Sequence, residues 1–196
     1  MRYVFPPKPL LITRTQALFQ RLDDDKDVIA ELKLNGTRLL LHRYADGHYE
    51  YWNRHHAQLK YHPSNTLVEH LNQLRWPAGD CLVDGELMHF KTTNVKHTIV
   101  LFDVFIWDGK FLSNETLRER KQILDDLFGE QVFGDLINSE LYLCDYQRLY
   151  DTYTVRSEVE GLVMKRLSSK LQIGFTSSPI VSWMWKVRKP GPTYRF

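Results

Sequence analysis

Six short polar groups, each set inside a largely apolar stretch, carry the chemistry of this sequence. They are Glu31-Leu32-Lys33-Leu34-Asn35-Gly36-Thr37-Arg38, Trp52-Asn53-Arg54, Asp84-Gly85-Glu86-Leu87, Phe102-Asp103-Val104-Phe105, Glu160-Gly161-Leu162-Val163-Met164-Lys165 and Trp185-Lys186-Val187-Arg188. A lysine beside a glycine turn is a nucleophile only where burial or neighbouring cations lower the pKa of its amine; Lys33 sits in that setting, and Lys165, Lys186 and Arg188 are the cations on offer. Phosphoryl transfer to a weak nucleophile needs charge neutralised on the transferred group, and a divalent cation held by carboxylates such as Glu86 and Glu160 does this. Arg38 and Arg54 supply planar, forked donors of the kind that grip oxyanions. Each group alone also reads as ordinary structure: a solvated lysine leading into a hairpin, a turn, a core phenylalanine, a basic strand.

These groups need a scaffold that brings distant stretches together. Phe5 to Leu10 is proline-rich and extended, and Thr13 or Thr15 caps a short helix whose apolar side includes Ala17, Leu18 and Leu22. Strand patterns over 28–34, 37–44 and 49–53, with an Asp46-Gly47 turn between the last two, read as an antiparallel meander. A helix is expected over 65–74, strands over 81–90 and 98–107, and a helix capped by Ser113 or Asn114 running to about Phe128, with Leu117, Ile123, Leu124 and Leu127 on one side. Further strands are expected over 140–144, 160–166 and 181–188. No repeat, low-complexity segment or linker interrupts the chain, so residues 1–196 read as one α+β domain built on antiparallel sheets.

Composition fits a globular chain of 196 residues, 43% hydrophobic and 26% charged, and excludes a disordered tail, a coiled coil and a collagen-like chain. The net charge of +2 hides an asymmetry. Residues 161–196 contain no Asp or Glu but seven of the 26 basic residues, from Lys165 to Arg195, so an acidic body of −5 precedes a stretch of +7 that calls for an anionic partner. Cys81 and Cys144 stand singly in apolar stretches and read as buried, reduced thiols. His55, His56 and His62 with Lys60 form no metal pattern and read as a wet, basic loop. With neither a signal peptide nor a membrane-length apolar run, the expected location is the cytoplasm.

The six groups, in this order and at these spacings, resemble the covalent nucleotidyltransferase superfamily of ATP-dependent polynucleotide ligases and messenger-RNA capping guanylyltransferases, over almost the whole chain from Glu31 to Arg188. The resemblance implies an α+β nucleotidyltransferase fold, an ATP-grasp-like adenylation domain with antiparallel sheets flanked by helices. It implies that Lys33 attacks the nucleotide α-phosphorus and expels pyrophosphate, leaving a lysyl-nucleotide. By the same resemblance Glu31 meets the adenine edge with Leu32 beside it, and Arg38 and Arg54 hold ribose or phosphate. Phe102 stacks on the purine, and Glu86 and Glu160 lie near the sugar and hold Mg²⁺ or Mn²⁺. Lys165, Lys186 and Arg188 meet the α-phosphate, with Lys189 in reserve.

Two departures stand out. Asn35 replaces the usual aspartate, which keeps a hydrogen-bonding group and loses a carboxylate. After Arg188 only residues 189–196 remain where such enzymes continue into an OB-fold domain, so the expectation is an adenylation domain alone. The leading expectation is a monomeric ATP-dependent DNA ligase acting on nicked duplex nucleic acid, away from membranes. DNA is favoured by Asp84-Gly85-Glu86-Leu87, by Arg38 ending the first motif, and by the link from Ser168 to Gly174. The alternatives are an RNA or mixed-strand ligase, a capping-type guanylyltransferase, and a non-catalytic nucleic-acid binder of the same fold.

Overall fold

The computed structural model describes residues 3–190. Its first layer is a four-stranded sheet of β1 (Lys8–Leu11), β2 (Val28–Leu34), β9 (Val159–Arg166) and β10 (Ile180–Arg188), in the order β1-β10-β9-β2. Helices α1 (Gln16–Asp23) and α4 (Tyr146–Tyr153) cover one face. Phe19, Leu22, Tyr146, Leu149 and Tyr150 pack there with Val28, Ala30, Leu162, Met164 and Val187. Thr15 caps α1, its hydroxyl accepting from the Leu18 amide at 3.1 Å. From that cap the inward positions fall on Phe19 and Leu22, so Ala17, expected on the apolar side, faces solvent.

The second layer is a six-stranded sheet in the order β4 (Tyr49–Asn53), β3 (Thr37–Arg43), β5 (Cys81–Met88), β6 (Thr98–Trp107), β7 (Lys110–Phe111), with β8 (Leu136–Asn138) paired to β6. Its covering helices are α2 (Asn65–Gln73) and α3 (Leu117–Phe128). Leu39, Leu41, Val83, Leu87, Ile99 and Leu101 join Leu67, Leu71, Leu124, Leu127 and Phe128 in the larger core. The cap of α3 is Thr116 rather than Ser113 or Asn114, because Thr116 has Glu119 three residues on and the two close a reciprocal capping box. Leu117, Leu124 and Leu127 are buried on the expected side, and Ile123 is partly buried.

The expected meander forms only in its second half, where β3 and β4 pair antiparallel. β2 pairs with β9 and β3 with β4 and β5, so the chain leaves one sheet at Leu34 and enters the other at Thr37. Both edges of β3 are taken, and Gly36 is drawn so tightly onto β5 that a Cβ there would lie 2.6 Å from Glu86 Cγ and 2.8 Å from the Leu87 carbonyl oxygen. Two pairings are parallel, β1 with β10 and β6 with β8. The strand expected over 140–144 reduces to a bridge between Tyr142 and Ala30 before α4, and Cys144 is exposed there, whereas Cys81 is buried. Among the described residues no helix is long and apolar enough to cross a membrane.

Candidate active site

The faces of the two sheets that carry no helices enclose a cavity of about 510 Å³, lined by β2, β9 and β10 on one side and β3, β5 and β6 on the other. In the first sheet Glu31 pairs with Val163 and Lys33 with Gly161, while Lys186 and Arg188 pair with the same two residues from β10. Residues directly opposite in register share a face, so the pairing turns Glu31, Lys33, Lys186 and Arg188 to one side. Gly161 has φ +152° and leaves no room for a side chain, because a Cβ would fall on the Val187 carbonyl. The second sheet contributes Arg38, Asp84, Glu86 and Phe102. The crossover at Asn35-Gly36 therefore puts Lys33 at the seam between the layers. The Asn35 side chain is turned away, donating to the Ser157 carbonyl at 3.4 Å.

The Lys33 amine donates to Glu160 Oε2, and Arg188 Nε approaches the same oxygen at 3.7 Å. Burial pulls the Lys33 pKa below the ordinary lysine value; the contact with Glu160 opposes that pull, and Arg188 adds to it. Lys186 is lowered in the same way, first by burial and then by Arg188, Lys33 and Arg54. Of the three cations the sequence offered, Arg188 lowers Lys33, Lys186 is itself lowered by Arg188 and Lys33, and Lys165 pairs with Glu31 instead. Lys189 does not join them: its amine donates to the Thr154 and Arg156 carbonyls, at 2.9 and 2.7 Å. Arg195 lies outside the described residues.

Glu86 and Glu160 face the cavity from opposite sheets. Burial raises the Glu86 carboxyl to about 7 although Lys33, Arg38 and Lys91 pull it down. A carboxylate pushed up in this way fits a site completed by a cation. Among the described residues no cluster of three or more His, Cys, Asp or Glu could hold a metal alone. Glu86 and Glu160 offer the one or two carboxylates that Mg²⁺, which keeps waters and substrate phosphates in its shell, would need from protein.

The floor of the cavity is a buried charge network that sequence reasoning only partly found. Glu31 is 3% exposed; Lys121 of α3 holds its Oε1 and Lys165 of β9 its Oε2. Burial would raise the Glu31 carboxyl, but the two lysines hold it below the ordinary value. Lys165, expected at the α-phosphate, is thereby tied to the floor, with its amine 4.8 Å from the centroid of the half-buried Phe102 ring. Arg38, expected on ribose or phosphate, forks onto Asp84, with Nε 2.9 Å from Oδ1, and donates to the Pro7 carbonyl at 3.0 Å. Arg120, fully buried, forks onto Asp103 at 2.7 and 3.0 Å. Arg120 and Lys121 were missed because they stand in a helix whose apolar spacing is complete without them. A charged pair on the buried side of such a helix is the signal that would have found them.

At the rim, Arg54 is exposed on the turn after β4 and donates Nε to His55 at 3.1 Å. His55, His56, Lys60 and His62 are exposed, as expected of a wet loop, although His56 stacks on Tyr3 at 4.2 Å. Leu32 lines the cavity between Glu31 and Lys33. Lys8 and Lys91, which sequence reasoning did not single out, line it too.

Two antiparallel-rich sheets flanked by helices, with a buried lysine at their seam and carboxylates and cations around it, have the architecture of a nucleotidyltransferase adenylation domain. The family described as ATP dependent DNA ligase domain matches residues 9–98 and 89–187, and the chain belongs to that family. It is 25% identical over 171 residues to the SPbeta prophage-derived DNA ligase-like protein LigB of Bacillus subtilis, across 76% of this chain and 58% of that protein. It is 22% identical over 211 residues to DNA ligase 4 of Kluyveromyces lactis, across 85% of this chain and 23% of that protein. Its fold is that of mycobacterial DNA ligase D complexed with ATP and MES, at a TM-score of 0.68 and 18% identity over 94% of this chain and 60% of that one. The chain therefore spans three fifths or less of each of these proteins.

Proposed function

We propose that this chain is the adenylation unit of an ATP-dependent DNA ligase that seals breaks between a 5′-phosphate and a 3′-hydroxyl in nicked duplex DNA. The observation that carries the reading is the Lys33 amine, its pKa lowered by burial, at the seam of a nucleotide-sized cavity and hydrogen-bonded to Glu160. The Lys33 lone pair forms a bond to the α-phosphorus of ATP as the bond to the bridging oxygen breaks and pyrophosphate leaves. AMP then passes from Lys33 to the 5′-phosphate, and the 3′-hydroxyl displaces it as the strand closes. Glu160 orients the amine and favours its protonated form, so whatever draws Glu160 away leaves a freer nucleophile. Arg188 and Lys186 neutralise phosphate charge beside Lys33, Phe102 offers a stacking face to the purine, and Glu31 an acceptor to its edge. Arg38 holds that wall through Asp84, and Arg54 reaches phosphate from the rim. Glu86 and Glu160 would hold Mg²⁺, which when bound neutralises charge on the transferred phosphoryl group.

In this reading residues 1–196 work as one unit, a monomer acting on DNA in the cytoplasm. Incubation with Mg²⁺ and labelled ATP or GTP tests it. Label from ATP, retained on denatured protein and absent from Lys33→Ala, is the expected result; label from GTP alone would identify a capping-type enzyme. Supplying nicked DNA, RNA and hybrid duplexes in turn separates a DNA ligase from an RNA or mixed-strand one.

A further inference from the structure

Lys121 is a buried lysine that the proposed reaction does not use. It stands on α3, whose apolar side belongs to the core of the six-stranded sheet, yet its amine reaches across the seam to Glu31 on β2 of the other sheet. Glu31 and Lys165 line the cavity; Lys121 lies behind them. Keeping an ammonium there costs desolvation free energy that a methionine would not incur. Burial pulls the Lys121 pKa down, and Glu31 opposes that pull.

We infer that Lys121 is a positioning residue for nucleotide selection: by gripping Oε1 of Glu31 while Lys165 grips Oε2, it presents a fixed, ionised carboxylate that accepts from a purine bearing a 6-amino group. The inference rests on the proposed reading that a purine lies against Phe102 and Glu31. A carboxylate only accepts hydrogen bonds, whereas a protonated carboxyl donates as well. The adenine 6-amino group donates, and guanine presents an acceptor oxygen at the same place. An anion held from two sides therefore discriminates between the two edges. One left with Lys165 alone can turn towards that lysine or take up a proton, and the discrimination falls.

Adduct formation from ATP, from purine riboside triphosphate lacking the 6-amino group, and from GTP tests this by comparing kcat/KM. The wild type is expected to prefer ATP. Lys121→Met is expected to lose at least about tenfold of the preference for ATP over purine riboside triphosphate, a loss of about 1.4 kcal/mol of discrimination, while its rate with the latter stays within a few-fold of wild type. Lys121→Arg is expected to restore most of the preference. In Lys121→Met the preference should fall further as pH is lowered, over a range where the wild type is flat. An equal loss with ATP and purine riboside triphosphate would make Lys121 merely structural, and an indifferent wild type would overturn the inference too. Should Lys121→Met not fold, Lys121→Gln gives the same comparison. If the wild type forms no adduct with any nucleotide, the ligase reading fails by itself; the same preference read as binding constants for the three nucleotides then decides the role of Lys121.

Discussion

Lys33 on β2 and Glu160 on β9 share one hydrogen bond from amine to carboxylate across a strand pair whose register shifts right after Lys33. That contact sets the acidity of the Lys33 amine against its burial. Because burial wins, the Lys33 pKa lies below the ordinary lysine value. The single-turnover rate of adduct formation should rise with pH and level off below the pH at which a free lysine would. Glu160→Gln removes the contact that favours the ammonium, so the inflection should move to lower pH even as the plateau falls by tenfold or more. An inflection that stays put or moves up would show that Glu160 does not govern the amine.

Glu86 supplies a stability prediction with a definite sign. Its carboxyl is raised to about 7 in the folded chain, by burial first, above the ordinary carboxyl value of 4.5. Between those two values the folded chain holds a proton that the unfolded chain has released, so stability should fall as pH rises through that window. The loss is on the order of 3 kcal/mol if the whole shift is expressed. Urea midpoints at pH 5 and pH 8 in EDTA should show it, and Glu86→Gln should flatten the difference. Mg²⁺ should recover stability at pH 8 in the wild type and not in Glu86→Gln.

Much of this site was legible because its chemistry is local in sequence. Lys33, Lys186 and Arg188 sit on strands whose alternation fixes their face, and those strands appear at the expected places, whereas Glu160 reaches the same side only at the register shift opposite Lys33. What the sequence hid was pairing. An Asn-Gly pair between two strands signals a hairpin, but only the neighbours of β3 decide that the chain instead crosses to a second sheet. The two-residue β7, folded straight back onto β6, went unnoticed for its brevity; β8 and helix α4 went unnoticed, and β1 was seen only as an extended stretch, since these short elements draw their stability from partners far along the chain. The buried ion pairs were hidden for the same reason: Lys121 and Glu31 are 90 residues apart.

Gly36 tests whether that crossover is obligatory. This glycine lies tight against β5, with Glu86 Cγ, Met88 Sδ and the Leu87 carbonyl oxygen at 2.6 to 2.8 Å from a Cβ built on it. Glu86 and Met88 can yield, but the carbonyl belongs to a strand paired on both sides. Gly36→Ala should cost about 1–3 kcal/mol as an overpacked site, read by urea unfolding. Because Glu86 must shift, the Mg²⁺ concentration for half-maximal adduct formation should rise several-fold. Loss of stability without any change in Mg²⁺ dependence would separate Gly36 from the carboxylate.

Arg38 and Asp84 pose the opposite case, a buried pair whose structural and functional roles can be separated. The fork between them is nearly closed to solvent, with side-chain exposures of 17% and 1%, and burial keeps the Asp84 pKa raised even against Arg38. Removing one partner leaves a buried charge without its counter-ion, so Arg38→Met should destabilise by about 3–5 kcal/mol. Replacing both partners with apolar residues is often neutral, so Arg38→Met combined with Asp84→Leu should recover much of that loss in urea unfolding. The guanidinium also lies 5.5 Å from the Phe102 ring, on the cavity wall where the purine is proposed to stack. The double variant should therefore stay at least several-fold weaker in KM for ATP although its stability returns. Recovery of both together would reduce Arg38 to a strut for β5, and recovery of neither would mean that the wall cannot close without the fork.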